Sequence, residues 1–196
     1  MKRISAILIF SIAILSFSNA QITKFKKGDI DASLGLGLIP TFAADGGTAL
    51  VPPISFRLDY RPAENFSIGA YAAFSSTETK FLDVPNGDLS QWKNDFMIVG
   101  IRGAAHGTRF ENWDIYGGFM AGYNIASADQ NVISDEDDSN KSEDGPSFRR
   151  PAENKFTFSG FVGAAYFPKK NLGVFGELGY GISILNFGVT YKLNGK

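Results

Sequence analysis

The chain of 196 residues carries a net charge of −1 and no cysteine. That length bounds it to one domain, or one domain and a processed segment, the balanced charge leaves no nucleic-acid footprint, and the missing cysteine excludes disulfides and a thiolate nucleophile. Its 22 glycines and 18 phenylalanines argue against a helical protein, because glycine destabilises helix interiors.

Residues 1–20 differ from the rest. Lys2 and Arg3 precede an apolar run over 4–17, and Ser18-Asn19-Ala20 places small residues at both key positions of a signal peptidase site. The run is shorter than the roughly 20 residues of a spanning helix. A secretory signal is therefore expected over 1–20, with the folded domain over 21–196 beginning at Gln21.

Beyond it the dominant pattern has period two, the signature of strands with unlike faces. Eight runs carry it. Over 29–38, Ile30, Ala32, Leu34, Leu36 and Leu38 oppose Asp29, Asp31, Ser33, Gly35 and Gly37. Over 51–60, Ile54, Phe56, Leu58 and Tyr60 alternate with Ser55, Arg57 and Asp59. Pro52 and Pro53 donate no ladder hydrogen bond, so this strand is expected to begin near Pro53 or Ile54. Phe66, Ile68, Ala70, Ala72 and Phe74 define the third run, 66–75. In the fourth, about 94–105, Met97, Val99 and Ile101 oppose Phe96, Ile98, Gly100 and Arg102. The fifth, 113–124, sets Trp113, Ile115, Phe119 and Tyr123 against Asp114, Tyr116 and Met120. The sixth, 155–167, sets Phe156, Phe158, Val162 and Tyr166 against Ser159 and Phe161. The seventh, 172–181, sets Leu172, Val174, Leu178 and Tyr180 against Phe175 and Glu177. The eighth, LNFGVTYKL over 185–193, is the clearest.

Residues 61–65, 106–112 and 168–171 read as short turns, and 39–50, 76–93 and 125–154 as longer polar loops; the last hairpin has a tight link near 181–184. Short and long connections alternating along an even number of strands is the layout of an outer-membrane barrel, with periplasmic turns and longer external loops. The fold class expected is all-β, an eight-stranded antiparallel up-and-down transmembrane β-barrel.

A soluble eight-stranded barrel also alternates, but with its apolar face inward. The aromatic positions discriminate. Tyr60, Phe66, Trp113, Tyr166 and Tyr191 fall near the turn ends of their strands, and Phe74, Tyr123, Phe156 and Tyr180 near the loop ends, all nine on the apolar face. Two aromatic belts bracketing aliphatic residues is what a lipid-facing surface requires. The other face carries Asp29, Asp31, Arg57, Asp59, Arg102, Asp114, Glu177 and Lys192, expected to form a charge network in a lumen just wide enough for side chains to fill.

The segments PPISFRLDYRPAENFSIGAYAAFSS (52–76), IRGAAHGTRFENWDIYGGFMAGYNI (101–125) and FVGAAYFPKKNLGVFGELGYGISILNFGVTYKL (161–193) resemble the small eight-stranded outer-membrane β-barrel family. That group includes the transmembrane domain of outer membrane protein A and the small adhesion-type barrels; the single-domain barrels of Bacteroidetes are the more similar. The resemblance implies a monomer in the outer membrane of a Gram-negative bacterium, in contact with lipid and lipopolysaccharide and inserted by the barrel assembly machinery. It also implies a carboxy-terminal assembly signal at Asn186, Gly188, Tyr191 and Leu193, although many members end on an aromatic residue where this chain continues as Asn194-Gly195-Lys196.

RPAEN occurs at 61–65 and at 150–154. Strand counting puts the copies at opposite barrel ends, which identifies convergent turn chemistry rather than duplication. Some barrels of this size are lipid-A enzymes that need a histidine with serine or acidic partners near the external rim. The sole histidine, His106, falls in a short periplasmic turn, is expected to be solvated, and has no Ser/His/Asp set that the sequence places around it. Asp135, Glu136, Asp137 and Asp138 could attract divalent cations, but the EF-hand pattern fails at Asn140 and Pro146, and a solvated loop is the favoured reading. No cofactor, metal site or catalytic residue is assigned. A structural or surface-interaction scaffold is preferred over a small solute channel, because Phe161, Phe175, Tyr116 and Met120 add bulk to the lumen; a lipid-modifying enzyme ranks third.

Overall fold

The structure, a computed structural model, describes residues 25–41, 48–82, 89–107, 112–133 and 154–193. The expected signal segment, the acidic run 135–138 and the second RPAEN copy up to Glu153 lie outside the described residues. Eight strands form in chain order: β1 Ile30–Gly37, β2 Thr48–Ala63, β3 Phe66–Leu82, β4 Leu89–Gly107, β5 Trp113–Ile133, β6 Lys155–Tyr166, β7 Leu172–Gly179 and β8 Leu185–Leu193. Each pairs antiparallel with its sequence neighbours, and β1 pairs with β8 from Ile30↔Leu193 to Gly37↔Asn186, so the sheet closes on itself. Closure leaves no unpaired edge in the apolar zone, the condition for a sheet to exist in lipid.

The period-two pattern sorts the side chains as expected. Leu34, Phe56, Ile68, Val99, Ile115, Phe158, Val174 and Val189 point outward and are exposed, and Phe119 is 79% exposed. Such a surface is tolerable only against hydrocarbon. In the fourth strand Met97, Val99 and Ile101 face out while Ile98 and Arg102 are buried. All nine belt aromatics lie on the outer face. Tyr123 and Tyr166 are half-buried because each packs on a belt neighbour, Tyr123 edge-on to Phe156 at 5.1 Å and Tyr166 tilted against Trp113 at 5.0 Å between ring centres.

Strand lengths depart from expectation. β2 begins at Thr48, before the two prolines; the register slips between Val51 and Ile54, so the missing N–H groups are taken up by a bulge rather than by ending the strand. β2 also continues through Arg61 and Pro62, with a second slip between Tyr60 and Ala63. β3, β4 and β5 extend to Leu82, Leu89 and Ile133, through polar sequence taken for loops. In these extensions the apolar alternation that marks a strand in sequence disappears while the ladder persists, from Thr77↔Asn94 to Leu82↔Leu89 and from Lys93↔Asp129 to Leu89↔Ile133.

Candidate functional site: the barrel interior

The interior is stacked in layers from the turn end to the loop end. At the turn end, Arg61 is the organising group and only 1% exposed. Its Nε donates to Asp31 Oδ2 at 3.0 Å, its Nη2 to Asp114 Oδ2, and its Nη1 to the Glu64 carbonyl at 3.4 Å. Strand parity places it there: Arg57, Asp59 and Arg61 share the inward face of β2. Beside it, Lys192 Nζ lies 3.8 Å from Asp29 Oδ2, an ion pair too long to be a hydrogen bond. It sits 3.4 Å from the ring centre of Phe25 and 5.0 Å from that of Phe167. Phe25 also lies 4.6 Å from the Arg61 guanidinium and meets Phe167 edge-on at 5.4 Å. Two cations against one ring, with a second ring edge-on to it, form an aromatic stopper at this mouth.

The middle layer is built on Glu177. Arg57 Nη1 pairs with Glu177 Oε2, and Arg102 grips the same carboxylate with Nη2 at 2.9 Å and Nη1 at 3.3 Å. Arg57 also donates to the Tyr116 hydroxyl at 3.0 Å. Arg102 Nε lies 3.4 Å from Asp59 Oδ1, a pair by charge whose geometry is not a hydrogen bond. The guanidinium of Arg57 lies 3.8 Å from the ring centre of Phe175, and that of Arg102 3.9 Å from that of Phe161. The rings fit because glycines face them: a Cβ on Gly163 would meet the Tyr116 ring at 2.6 Å, and one on Gly35 the Phe175 ring at 2.9 Å.

At the loop end, the link between β7 and β8 folds into the barrel. Ile182 is fully buried and packs in one cluster with Tyr71, Ile98 and Met120. Ser183 accepts from Ile39 N at 3.1 Å and donates to Ile39 O at 2.7 Å, and Thr41 N donates to Ile182 O at 3.1 Å. An apolar lid thus closes this mouth as Phe25 and Phe167 close the other. Two voids among the described residues measure about 20 and 10 Å³, each with room for about one water molecule.

All eight charges expected on the inner face are buried there. Among the described residues Lys192 pairs with Asp29, Asp31 with Arg61, and Arg57 with Glu177. Arg61 was assigned to a turn, and parity with Arg57 and Asp59 was the signal that identifies it. Of the residues implied as an assembly signal, Asn186 and Gly188 face the lumen, while Tyr191 and Leu193 face outward and are exposed.

His106 requires a correction. It lies in β4 rather than in a turn, its side chain is 6% exposed, and a Ser/His/Asp set does surround it. Nδ1 faces the Asp114 carboxylate at 2.9 and 3.0 Å, and Nε2 faces Ser67 Oγ at 2.8 Å. With the carboxylate as acceptor, Nδ1 carries the proton and Nε2 accepts from the serine, the arrangement that activates a hydroxyl nucleophile. The rest of a catalytic site is missing among the described residues. Ser67 is 1% exposed, Asp114 is shared with Arg61, and the adjacent void cannot hold an acyl group. The His106 amide is itself committed to the ladder, donating to Asn65 O at 2.9 Å, and so does not serve an oxyanion.

A closed antiparallel barrel of eight strands, charged within and apolar without, defines the class: a small transmembrane β-barrel of the outer-membrane type. Among solved structures, the chain is similar to the outer membrane protein OprG of Pseudomonas aeruginosa, with 15% identity, a TM-score of 0.55, and coverage of 89% of this chain and 100% of that one. Two others are the Yersinia pestis attachment invasion locus protein Ail (12% identity, TM-score 0.45, 85% and 99% covered) and the N-terminal barrel domain of Pseudomonas aeruginosa OprF (11%, 0.46, 86% and 98%). No family model and no curated relative matches the chain. At such identities the likeness establishes the fold alone.

Proposed function

We propose that this barrel is a membrane-embedded scaffold, neither a solute channel nor an enzyme, that acts through the surface it presents at its loop end. The observation that carries the reading is the doubly stoppered lumen: ion-paired layers on Glu177 and Arg61 lie between the Phe25–Phe167 stopper and the Ile182 lid. A buried ion-pair layer is costly to open, because breaking one partner leaves an uncompensated charge. The Ser67–His106–Asp114 relay serves here as a polar brace between β3, β4 and β5. The protein is a monomer in this reading, contacting lipid and lipopolysaccharide, with Asn186, Gly188, Tyr191 and Leu193 engaging the assembly machinery.

Single-channel recording in planar bilayers tests it. The folded protein should give a closed baseline, and the Arg57→Ala/Arg102→Ala double variant should leak. Steady, large openings from the native protein would replace the scaffold with a channel. The display role is tested by deleting residues 134–150: surface binding of whole cells should fall while the heat-modifiable gel shift of the barrel is kept.

A further inference from the structure

Two short sequences converge at the turn end: Phe25-Lys26-Lys27 before β1 and Phe167-Pro168-Lys169-Lys170 between β6 and β7. In each the phenylalanine turns into the lumen and the lysines stay outside. Phe25 and Phe167 are buried against each other at 5.4 Å, while Lys26, Lys27, Lys169 and Lys170 are all exposed. The Phe25 side is fixed by the turn at Gly28, whose φ of +93° favours glycine, and by Gly28 N donating to Arg61 O at 2.8 Å. The Phe167 side is fixed by Lys192 N donating to Asn171 O at 2.7 Å and Phe167 N to Asn112 O at 2.8 Å. The lysines are thus mounted on two anchored turns rather than on free chain. Among the described residues of this end, Glu64 is the only exposed carboxylate; Asp29, Asp31 and Asp114 are buried.

We infer that this lysine cluster binds the phosphates of anionic phospholipids in the leaflet on the turn side. Depth selects the lipid over a soluble polyanion. Tyr166, a belt residue packed on Trp113, directly precedes Phe167, and Tyr191, also in the belt, pairs with Leu172 just after the lysines. The lysines therefore stand one to a few residues beyond an aromatic girdle that marks the interface, at headgroup height. Their aliphatic stems can lie along the girdle while the ammonium groups reach phosphate.

Native mass spectrometry of the full folded protein from equimolar phosphatidylglycerol and phosphatidylethanolamine tests this. Wild type should retain the anionic lipid preferentially. Each lysine changed to glutamine should lower that preference up to about fivefold, and Lys26→Gln/Lys27→Gln/Lys169→Gln/Lys170→Gln should abolish it. Lys155→Gln, at the opposite end, should leave it intact. No preference in wild type, a preference surviving in the quadruple variant, or one lost with Lys155→Gln would each overturn the assignment. Saturable binding of inorganic tripolyphosphate in purely zwitterionic nanodiscs, without lipid preference, would assign the cluster to a soluble polyanion instead and overturn it equally.

Discussion

Arg61→Ala should be the most damaging single change in the interior. The guanidinium is buried and holds Asp31 at 3.0 Å and Asp114 at once. After truncation Asp114 keeps His106 at 2.9 Å, but Asp31 loses its hydrogen-bonded cation and keeps only the cross-strand Lys192 as a cationic neighbour, and its Oδ1 has no hydrogen-bond partner even in the native protein among the described residues. Orphaning one member of a buried pair costs about 3–5 kcal/mol. At 1.4 kcal/mol per decade this is about two to three and a half orders of magnitude in the folding equilibrium. The assay is urea unfolding in lipid vesicles followed by tryptophan fluorescence. Arg61→Met/Asp31→Asn, which removes the orphan with the cation and keeps most of the volume, should recover at least half of the loss. If Arg61→Ala costs less than about 1 kcal/mol, the charge argument fails. Equal losses in the two variants would mean that packing, not the stranded carboxylate, governs this layer.

On the lipid face, Phe119→Arg should cost about 2–4 kcal/mol and Tyr191→Asp less, since the penalty falls toward the interfaces; folded yield by gel shift ranks them, and the reverse order would contradict the assigned depths. Gly163→Val drives a side chain into the Tyr116 ring and should destabilise by about 1–3 kcal/mol, read as a lower urea midpoint with unchanged slope. A fluorophosphonate probe should leave Ser67 unlabelled in the folded protein; a labelled Ser67 peptide, lost in His106→Ala, would show that the relay is reachable and reactive.

Much of the barrel was legible because lipid and lumen impose opposite chemistry on successive residues. LNFGVTYKL coincides with β8 residue for residue, and the inward parity of Arg102 held in the fourth run. Legibility ended where that opposition stops. TETKFL over 77–82 and ASADQNVI over 126–133 are strand although their sequence lacks the apolar alternation of the segments below, so polarity mimics a loop. Pro62 made Arg61 look like a turn residue, although a bulge absorbs the proline and parity continues past it. The Ser67–His106–Asp114 set was invisible for another reason. Its members come from β3, β4 and β5, and only the register that pairs Ser67 with Ala104 and His106 with Tyr116 brings them together.

The seam between β1 and β8 has a consequence for how the chain reaches this state. Ser33 donates to Thr190 across it at a separation of 157 residues, so the circle closes only when the last strand arrives. Until then any ordered sheet has two open edges, the form most prone to pairing with the wrong chain. A chain stopped short of Leu185 would therefore not make a smaller barrel but an unclosed, sticky sheet. The arrival of the final strand alone decides whether the whole can close.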